Sequence, residues 1–237
     1  MMISVITATY NAMGYLPDLL ESLRQQEDKD FEWVVSDGAS TDGTVNYLES
    51  INDLNIKILS QEDFGIYDAL NRGIKESVGD FYIVIGADDV FYPNAIGSFK
   101  SAFDNYSDII TLTIDIGNKK SKPVFKRRLS WYFGQFSYVS GHAVGTMFRK
   151  SLHEKNGYYS KRFPIAADQY FILKSIKNGA AVKFKDELVG MQRLVGVSSI
   201  DKLGTNTERF RIQVEVGYNK YVQFVLLVLR IFKNLLF

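Results

Sequence analysis

The sequence predicts an α/β fold, a doubly wound and mostly parallel sheet in a single domain. Two observations carry this. β-Branched and apolar runs alternate with helical periodicity four times in the first hundred residues. The run Phe81-Tyr82-Ile83-Val84-Ile85 then stops abruptly at Gly86-Ala87-Asp88-Asp89, which reads as a buried strand ending in two carboxylates. Like charges are costly inside a buried strand, so the pair belongs at its carboxyl end, the edge of open α/β sheets where ligands bind. Two readings of the pair stand open. It is a hard-oxygen site for Mg²⁺ or Mn²⁺, completed by diphosphate oxygens, or it caps a helix beginning near Pro93.

Taken in order, Met2 to Thr9 is a first strand rich in β-branched residues. Leu16, Leu19, Leu20 and Leu23 share one face of the helix that follows, with Pro17 at its start. Phe31 to Ser36 is a second strand. It runs into Asp37-Gly38-Ala39-Ser40-Thr41-Asp42-Gly43-Thr44, a loop of turn formers and caps leading to a short helix through Tyr47 and Leu48. Ile56 to Leu59 is a third strand, Ile66, Leu70 and Ile74 mark another amphipathic helix, and Phe81 to Ile85 is the fourth strand. A helix through Ile96, Phe99 and Phe103 leads to a strand from Asp108 to Thr113.

Beyond that point the pattern loosens. Lys119, Lys120, Lys122, Lys126, Arg127 and Arg128 form a basic loop or hairpin around Pro123. Gly145 to Arg149 reads as a short strand followed by a helix ending near Gly157, with His153 on its surface. A helix from Ala167 to Asn178 is closed by Gly179. Ala181 to Phe184 and Leu188 to Arg193 read as two late strands. From Tyr221 to Phe237 runs an amphipathic helix with Gln223, Arg230, Lys233 and Asn234 on one stripe and Val, Leu, Ile or Phe nearly everywhere else. That pattern suits a helix lying on an anionic membrane, with the basic stretch assisting. It equally suits packing on the protein's own core or on a second copy.

Composition narrows the function. With 237 residues and 46% apolar content the chain can bury a sizeable core. A net charge of +1 provides no basic field for nucleic acid. Without cysteine there are no disulfides or thiolate metal sites, which fits a reducing compartment. No signal peptide is expected at the amino terminus, and no apolar run reaches the ~20 residues of a membrane span, so a cytoplasmic location is expected. The first turn, Thr7-Ala8-Thr9-Tyr10-Asn11-Ala12-Met13-Gly14, lacks the glycine pattern of dinucleotide folds, and no Gly-x-x-x-x-Gly-Lys-Ser/Thr loop occurs. Phosphates would have to be neutralised otherwise, and a cation at Asp88 and Asp89 is the natural candidate.

Thr7 to Asn11, Ser36 to Thr44, and Gly86 to Asp89 together resemble the family-2 glycosyltransferases of the GT-A fold. Asp63-Phe64-Gly65-Ile66-Tyr67-Asp68-Ala69-Leu70-Asn71-Arg72-Gly73 is similar to a segment of the bacterial O-antigen and capsule members, and the likeness returns at Phe163 to Asp168. The resemblance implies a nucleotide-sugar and metal-binding half at 1–115, an acceptor-binding half at 116–204, and carboxyl-terminal helices at 205–237. Thr7, Thr9 and Tyr10 would border the base and Asp37 would accept its hydrogen bond. Asp42 is read as a turn residue. Asp88 would contact ribose or support the metal shell, Asp89 would bind Mn²⁺ or Mg²⁺, and Asp68 would contact the nucleotide or solvent. Leu70 stands where many relatives carry an arginine, and Arg72, two residues on, is expected to face elsewhere.

Asp168 resembles the family's catalytic base, with Glu208 and Asp201 as runners-up, and His142, in the segment that should approach the site, meets phosphate, acceptor or metal or is a satisfied structural histidine. The implied activity is inverting transfer of a hexose-type sugar from a nucleotide diphosphate, UDP before GDP or dTDP, to a saccharide hydroxyl. A polyprenyl-diphosphate-linked acceptor, a peripheral place on the inner face of the cytoplasmic membrane, and a homodimer fit the same reading. The competing class is a non-catalytic nucleotide-sugar-binding subunit of a polysaccharide assembly complex. A nucleotidyltransferase is a third, lacking here the glycine-rich loop it needs.

Overall fold

The four early strands lie side by side and parallel. The computed structural model describes residues 1–123, 127–193 and 201–236. β1 (Ile3–Thr9) is flanked by β2 (Phe31–Asp37) and β4 (Phe81–Val84), and β3 (Ile56–Ser60) pairs β2 on the outside. Ile3 sits opposite both Phe31 and Phe81, so the strands start level and their carboxyl ends form one edge. β2 and β4 are buried along their whole length, which explains why they read as continuous rather than alternating apolar runs.

Helices cover both faces. α1 (Leu16–Arg24) buries its four expected leucines on one side. α2 (Thr44–Glu49) follows the second loop, and α3 (Ile66–Glu76) lies on the other face through Ala69, Leu70 and Ile74. At Gly73 a side-chain carbon would come within 2.9 Å of Ile6, so glycine lets α3 approach the sheet closely. Leu70 is a core residue, whereas Ile66, expected on the same face, is 54% exposed.

The second half extends the same sheet with mixed directions. β5 (Val90–Phe91) leads through helix α4 (Ala95–Ala102) to β6 (Ile109–Ile116), and with β7 (Lys119–Ser121), β8 (Thr146–Arg149) and β9 (Val182–Gln192) the sheet has nine strands among the described residues. β8 runs antiparallel between β4 and β6, β6 pairs β9 in parallel, and β5 closes the edge antiparallel to β9. The two late strands expected after Ala181 are one continuous strand, whose register against β6 shifts where β9 carries extra residues opposite Leu112 to Asp115. The basic stretch begins as the hairpin β6–β7, turning at Gly117, whose φ is +56°. Lys126 lies outside the described residues.

Short α5 (Ser130–Phe133) and α6 (Leu152–Asn156) precede α7 (Ala167–Lys177), α8 (Lys202–Glu215) and α9 (Lys220–Leu236). One expectation is corrected here. His153 is only 3% exposed, wedged against Tyr158 and Phe171, because α6 turns it under the sheet rather than outward. The open orientation of α9 is decided as well: Gln223 is fully buried, while Lys233 is exposed and Tyr221, Phe224, Val225, Leu229 and Phe232 face out. No helix among the described residues is long and apolar enough to cross a membrane.

Candidate active site

A cavity of about 640 Å³ opens where β1 and β2 end and α3 begins, lined by Thr9, Tyr10, Gly38, Ala39, Asp63 and Ile66 among others. Its walls are two loops laced together. Asn11 donates its N–H to Ser40 Oγ (2.8 Å), and its side-chain oxygen accepts from Thr41 N (2.9 Å). Asn11 and Ala39 both hold positive φ, +50° and +63°. Alanine there is strained, and the cross-loop bonds compensate. Tyr10 is 69% exposed at the rim, an aromatic face open to a flat ligand.

Asp37 is fully buried beneath this cavity. Its Oδ1 accepts from Thr9 (2.9 Å) and the Ser40 hydroxyl (2.5 Å), and its Oδ2 from Ser40 N (2.8 Å) and Ser60 (3.0 Å). Burial pushes this carboxyl up, but the bonds from Ser40, Thr9 and Ser60 outweigh it and hold it below the usual carboxylate value. Its four acceptor positions are thus filled from within the protein. Asp42 is likewise a loop residue, bonded to Thr44 and Met13. Thr7 is buried with its hydroxyl accepting from Trp33 Nε1 (3.0 Å), on the opposite face of the sheet from α3.

Arg72 does not face away as the spacing suggested. Its Nη2 donates to the Asp37 carbonyl (2.7 Å) and its Nε to Ser36 Oγ (2.8 Å), with Asp63 Oδ2 4.0 Å from Nη2. Helix α3 lies close enough to the sheet for the long side chain to curl back over β2. Asp63 is the carboxylate that lines the cavity, and a side-chain carbon at Gly38 would come within 2.6 Å of its Oδ2. Sequence reasoning quoted Asp63 in a motif without assigning it a role. Asp68 lines a smaller neighbouring cavity with Arg72, paired to Lys161 at 3.0 Å, which holds its carboxyl low.

At the end of β4, Asp88 and Asp89 converge over Gly86. A side-chain carbon there would lie 2.7 Å from Asp88 Oδ1 and 2.8 Å from Asp89 Oδ2, so any larger residue would push the two carboxylates apart. They do not cap a helix: β5 intervenes and Asn94 precedes α4. Asp89 is 3% exposed, accepting from Gly86 N (3.1 Å) and Arg193 N (2.8 Å). Burial, and next the charge of Asp88, push its carboxyl up to about 7. Among the described residues no cluster of three or more His, Cys, Asp or Glu could hold a metal alone. Two convergent, under-compensated carboxylates nonetheless fit a hard divalent cation whose remaining oxygens come from a diphosphate.

Asp168 sits in the first turn of α7, where the helix dipole favours a carboxylate. Tyr67 Oη lies 2.7 Å from its Oδ1 and 3.0 Å from the Ile165 carbonyl. The runner-up bases have structural partners. Glu208 accepts from Ile165 N (3.1 Å) and Ala166 N (2.8 Å), fixing the turn that presents Asp168. Asp201 caps α8 through Gly204 N (2.7 Å).

His142 lies on the segment that joins β4 to the Asp168 side of the molecule. The residue after it, Ala143, bridges Val84 of β4, and Asp168 is close enough for its charge to act on the imidazole. A buried chain of hydrogen bonds fixes its ring. His153 Nδ1 faces the Gly157 carbonyl (3.2 Å), so its Nε2 accepts from Tyr82 Oη (2.7 Å). Tyr82 then accepts from Tyr159 (3.0 Å), and Tyr159 from His142 Nε2 (2.6 Å). This order, assigned from the acceptors available, leaves His142 Nδ1 as an acceptor. Burial holds both histidines below their ordinary value, His153 at about 4.

Comparison with known proteins places the chain in a family. The chain is 28% identical over 197 residues to a PGL/p-HBAD biosynthesis glycosyltransferase of Mycobacterium tuberculosis, covering 76% of this chain and 72% of that one. It is 28% identical over 192 residues to the poly(ribitol-phosphate) beta-N-acetylglucosaminyltransferase TarS of Staphylococcus aureus, covering 75% of this chain but 33% of that protein. The structure of S. aureus TarS 1-349 with UDP-GlcNAc superposes with a TM-score of 0.73 at 22% identity, over 94% of this chain and 69% of that one. A mannosyltransferase from Pyrobaculum calidifontis with GDP-Man and Mn²⁺ gives 0.68 at 18%, over 89% and 62%. At such identities the structural likeness shows the fold alone. The model of Glycosyl transferase family 2 matches residues 4–171, and the chain belongs to that family.

Proposed function

We propose that this chain is an inverting, metal-dependent hexosyltransferase that moves a sugar from a UDP-sugar to the hydroxyl of a saccharide acceptor. The observation that carries the reading is the convergence of Asp88 and Asp89 over Gly86 at the end of β4. The segment that carries His142 joins β4 through the Ala143–Val84 bridge, and His142 lies within range of the charge of Asp168. Asp88 and Asp89 would hold Mn²⁺ or Mg²⁺, which when bound supplies positive charge to the diphosphate. The TarS structure with UDP-GlcNAc supports a UDP-sugar, and the Pyrobaculum structure with Mn²⁺ supports the metal.

In this reading Tyr10 covers the nucleobase and Thr9 borders it. Asp37 shapes the loop, its oxygens being saturated, and Asp63 Oδ2 receives the base N–H beside Gly38. Tyr67 occupies Asp168 Oδ1, which leaves Oδ2 to take the proton of the acceptor hydroxyl. The acceptor oxygen bonds the anomeric carbon as the bond to the diphosphate oxygen breaks, so configuration inverts. His142 Nδ1 accepts from a sugar hydroxyl and orients the ring. The acceptor is a saccharide on a polyprenyl diphosphate, presented at the cytoplasmic face of the membrane during surface polysaccharide synthesis of the O-antigen or capsule kind.

The test is transfer and nucleotide release with a panel of UDP-, GDP- and dTDP-sugars and Mn²⁺ or Mg²⁺. We expect EDTA-sensitive release from one UDP-sugar, and a loss of about a hundred- to ten-thousand-fold in Asp168→Asn with nucleotide binding retained. Full turnover by Asp168→Asn, or by Asp89→Asn, would overturn the assignment. Nucleotide binding without transfer to any acceptor would favour the non-catalytic subunit.

A further inference from the structure

Helix α9 is inside out relative to an ordinary surface helix. Its roll is fixed by bonds from its polar stripe. Gln223 Nε2 donates to the Trp131 carbonyl (2.8 Å), Arg230 Nη2 to the Tyr132 carbonyl (3.0 Å), and Leu226 is buried between them. Arg209 of α8 donates to the same Tyr132 carbonyl (2.8 Å), tying α8, α9 and α5 into one unit. With Gln223 and Arg230 turned inward, the opposite face is committed to the outside. It carries Tyr221, Phe224, Val225, Leu229 and Phe232, between 56% and 71% exposed, on a single stripe at helical spacing. An isolated exposed leucine is ordinary, but a contiguous apolar stripe of this kind marks a surface built to be covered.

Charge decides what covers it. No acidic residue occurs from Lys220 to Leu236, and the exposed Lys220 and Lys233 sit towards the two ends of the stripe. The neighbouring turn adds the exposed Arg127 and Arg128, beside Leu129 and Tyr132, which are also partly exposed. An apolar stripe rimmed by cations complements an anionic bilayer surface, where rings and aliphatic chains enter the interface and Lys and Arg meet phosphates. Two copies of the chain packed through this face about a two-fold axis would instead set these cations against one another.

We propose that α9, with the Arg127–Leu129 turn, seats the protein in the plane of an anionic lipid surface. The unit is tied to the candidate active site. Arg209 follows Glu208, whose carboxylate fixes the Ile165–Ala166 turn before Asp168. The seat therefore holds the acceptor side of the site towards the bilayer. This surface is independent of the catalytic reading, since vesicle binding requires neither donor nor Asp168.

The test is co-sedimentation of the full chain with vesicles of phosphatidylcholine, alone and mixed with phosphatidylglycerol, alongside light scattering for oligomeric state. A monomer that binds the mixed vesicles, releases in high salt and ignores neutral ones is expected. Phe224→Ser combined with Leu229→Ser should abolish binding while leaving the melting temperature unchanged, because both side chains face out. Arg127→Glu with Arg128→Glu, away from the helix, should weaken binding about thirtyfold or more. Three results would overturn the proposal: equal binding to neutral vesicles, no vesicle binding by the folded chain, or a dimer that the Phe224 and Leu229 substitutions dissociate.

Discussion

The parallel half and the carboxyl-terminal half solve the problem of buried polar groups in opposite ways. Beneath the nucleotide-sized cavity, Asp37 has every acceptor position filled and the loops around it are cross-bonded. Around α7, α8 and α9, buried atoms of Gln135, Gln169, Gln213, Gln223, Arg209 and Arg230 have no hydrogen-bond partner within the protein. All such side-chain atoms among the described residues fall at or beyond Gln135. Burial and the adjacent Arg230 push the Arg209 guanidinium down to about 10. A satisfied network gives a rigid, preformed site, whereas an unsatisfied one leaves local stability low and open to change. The first half thus holds a cross-bonded cavity, whereas the second carries buried polar atoms whose desolvation no protein partner offsets.

Substitutions in the two halves sharpen that contrast. The largest loss is expected in the rigid half. Trp33→Ala removes a fully buried ring and strands the Thr7 hydroxyl, and should cost about 3–5 kcal/mol in urea unfolding. A loss under about 1 kcal/mol would show that this core is not tightly packed.

Acid tests the buried histidine chain. His153 titrates near 4 in the folded protein against 6.5 for an ordinary histidine, so the unfolded chain takes up the proton first. Stability should be full above pH 6.5, fall as pH drops through 6.5, and level off below about 4, by on the order of 3 kcal/mol. His153→Phe should flatten that part of the profile in denaturation measured across pH. An unchanged slope would mean that His153 is not held neutral.

The smallest effect belongs to the carboxyl-terminal half. Gln213→Met removes two unpaired buried atoms, and should leave stability within about 1 kcal/mol of the parent or raise it. A loss of several kcal/mol would show that Gln213 is satisfied in solution, and would erase the contrast.

Much of this molecule was legible in order. The strand and helix alternation of the first hundred residues, the turn-forming loops and the glycine before two carboxylates all express local preferences, and each element formed within a residue or two of its expected limits. Helical and strand periods depend only on which residues are neighbours along the chain. The sequence therefore determined which residues share a face: the four leucines of α1, the apolar and polar stripes of α9, and Asp88 beside Asp89. The tertiary structure decided which way each face turns. It curled Arg72 back over β2, drew His153 into a buried chain, saturated Asp37, merged two expected strands into β9, and turned Gln223 and Arg230 of α9 inward. Each outcome depends on contacts between residues far apart in the chain, and local spacing carries no information about those partners.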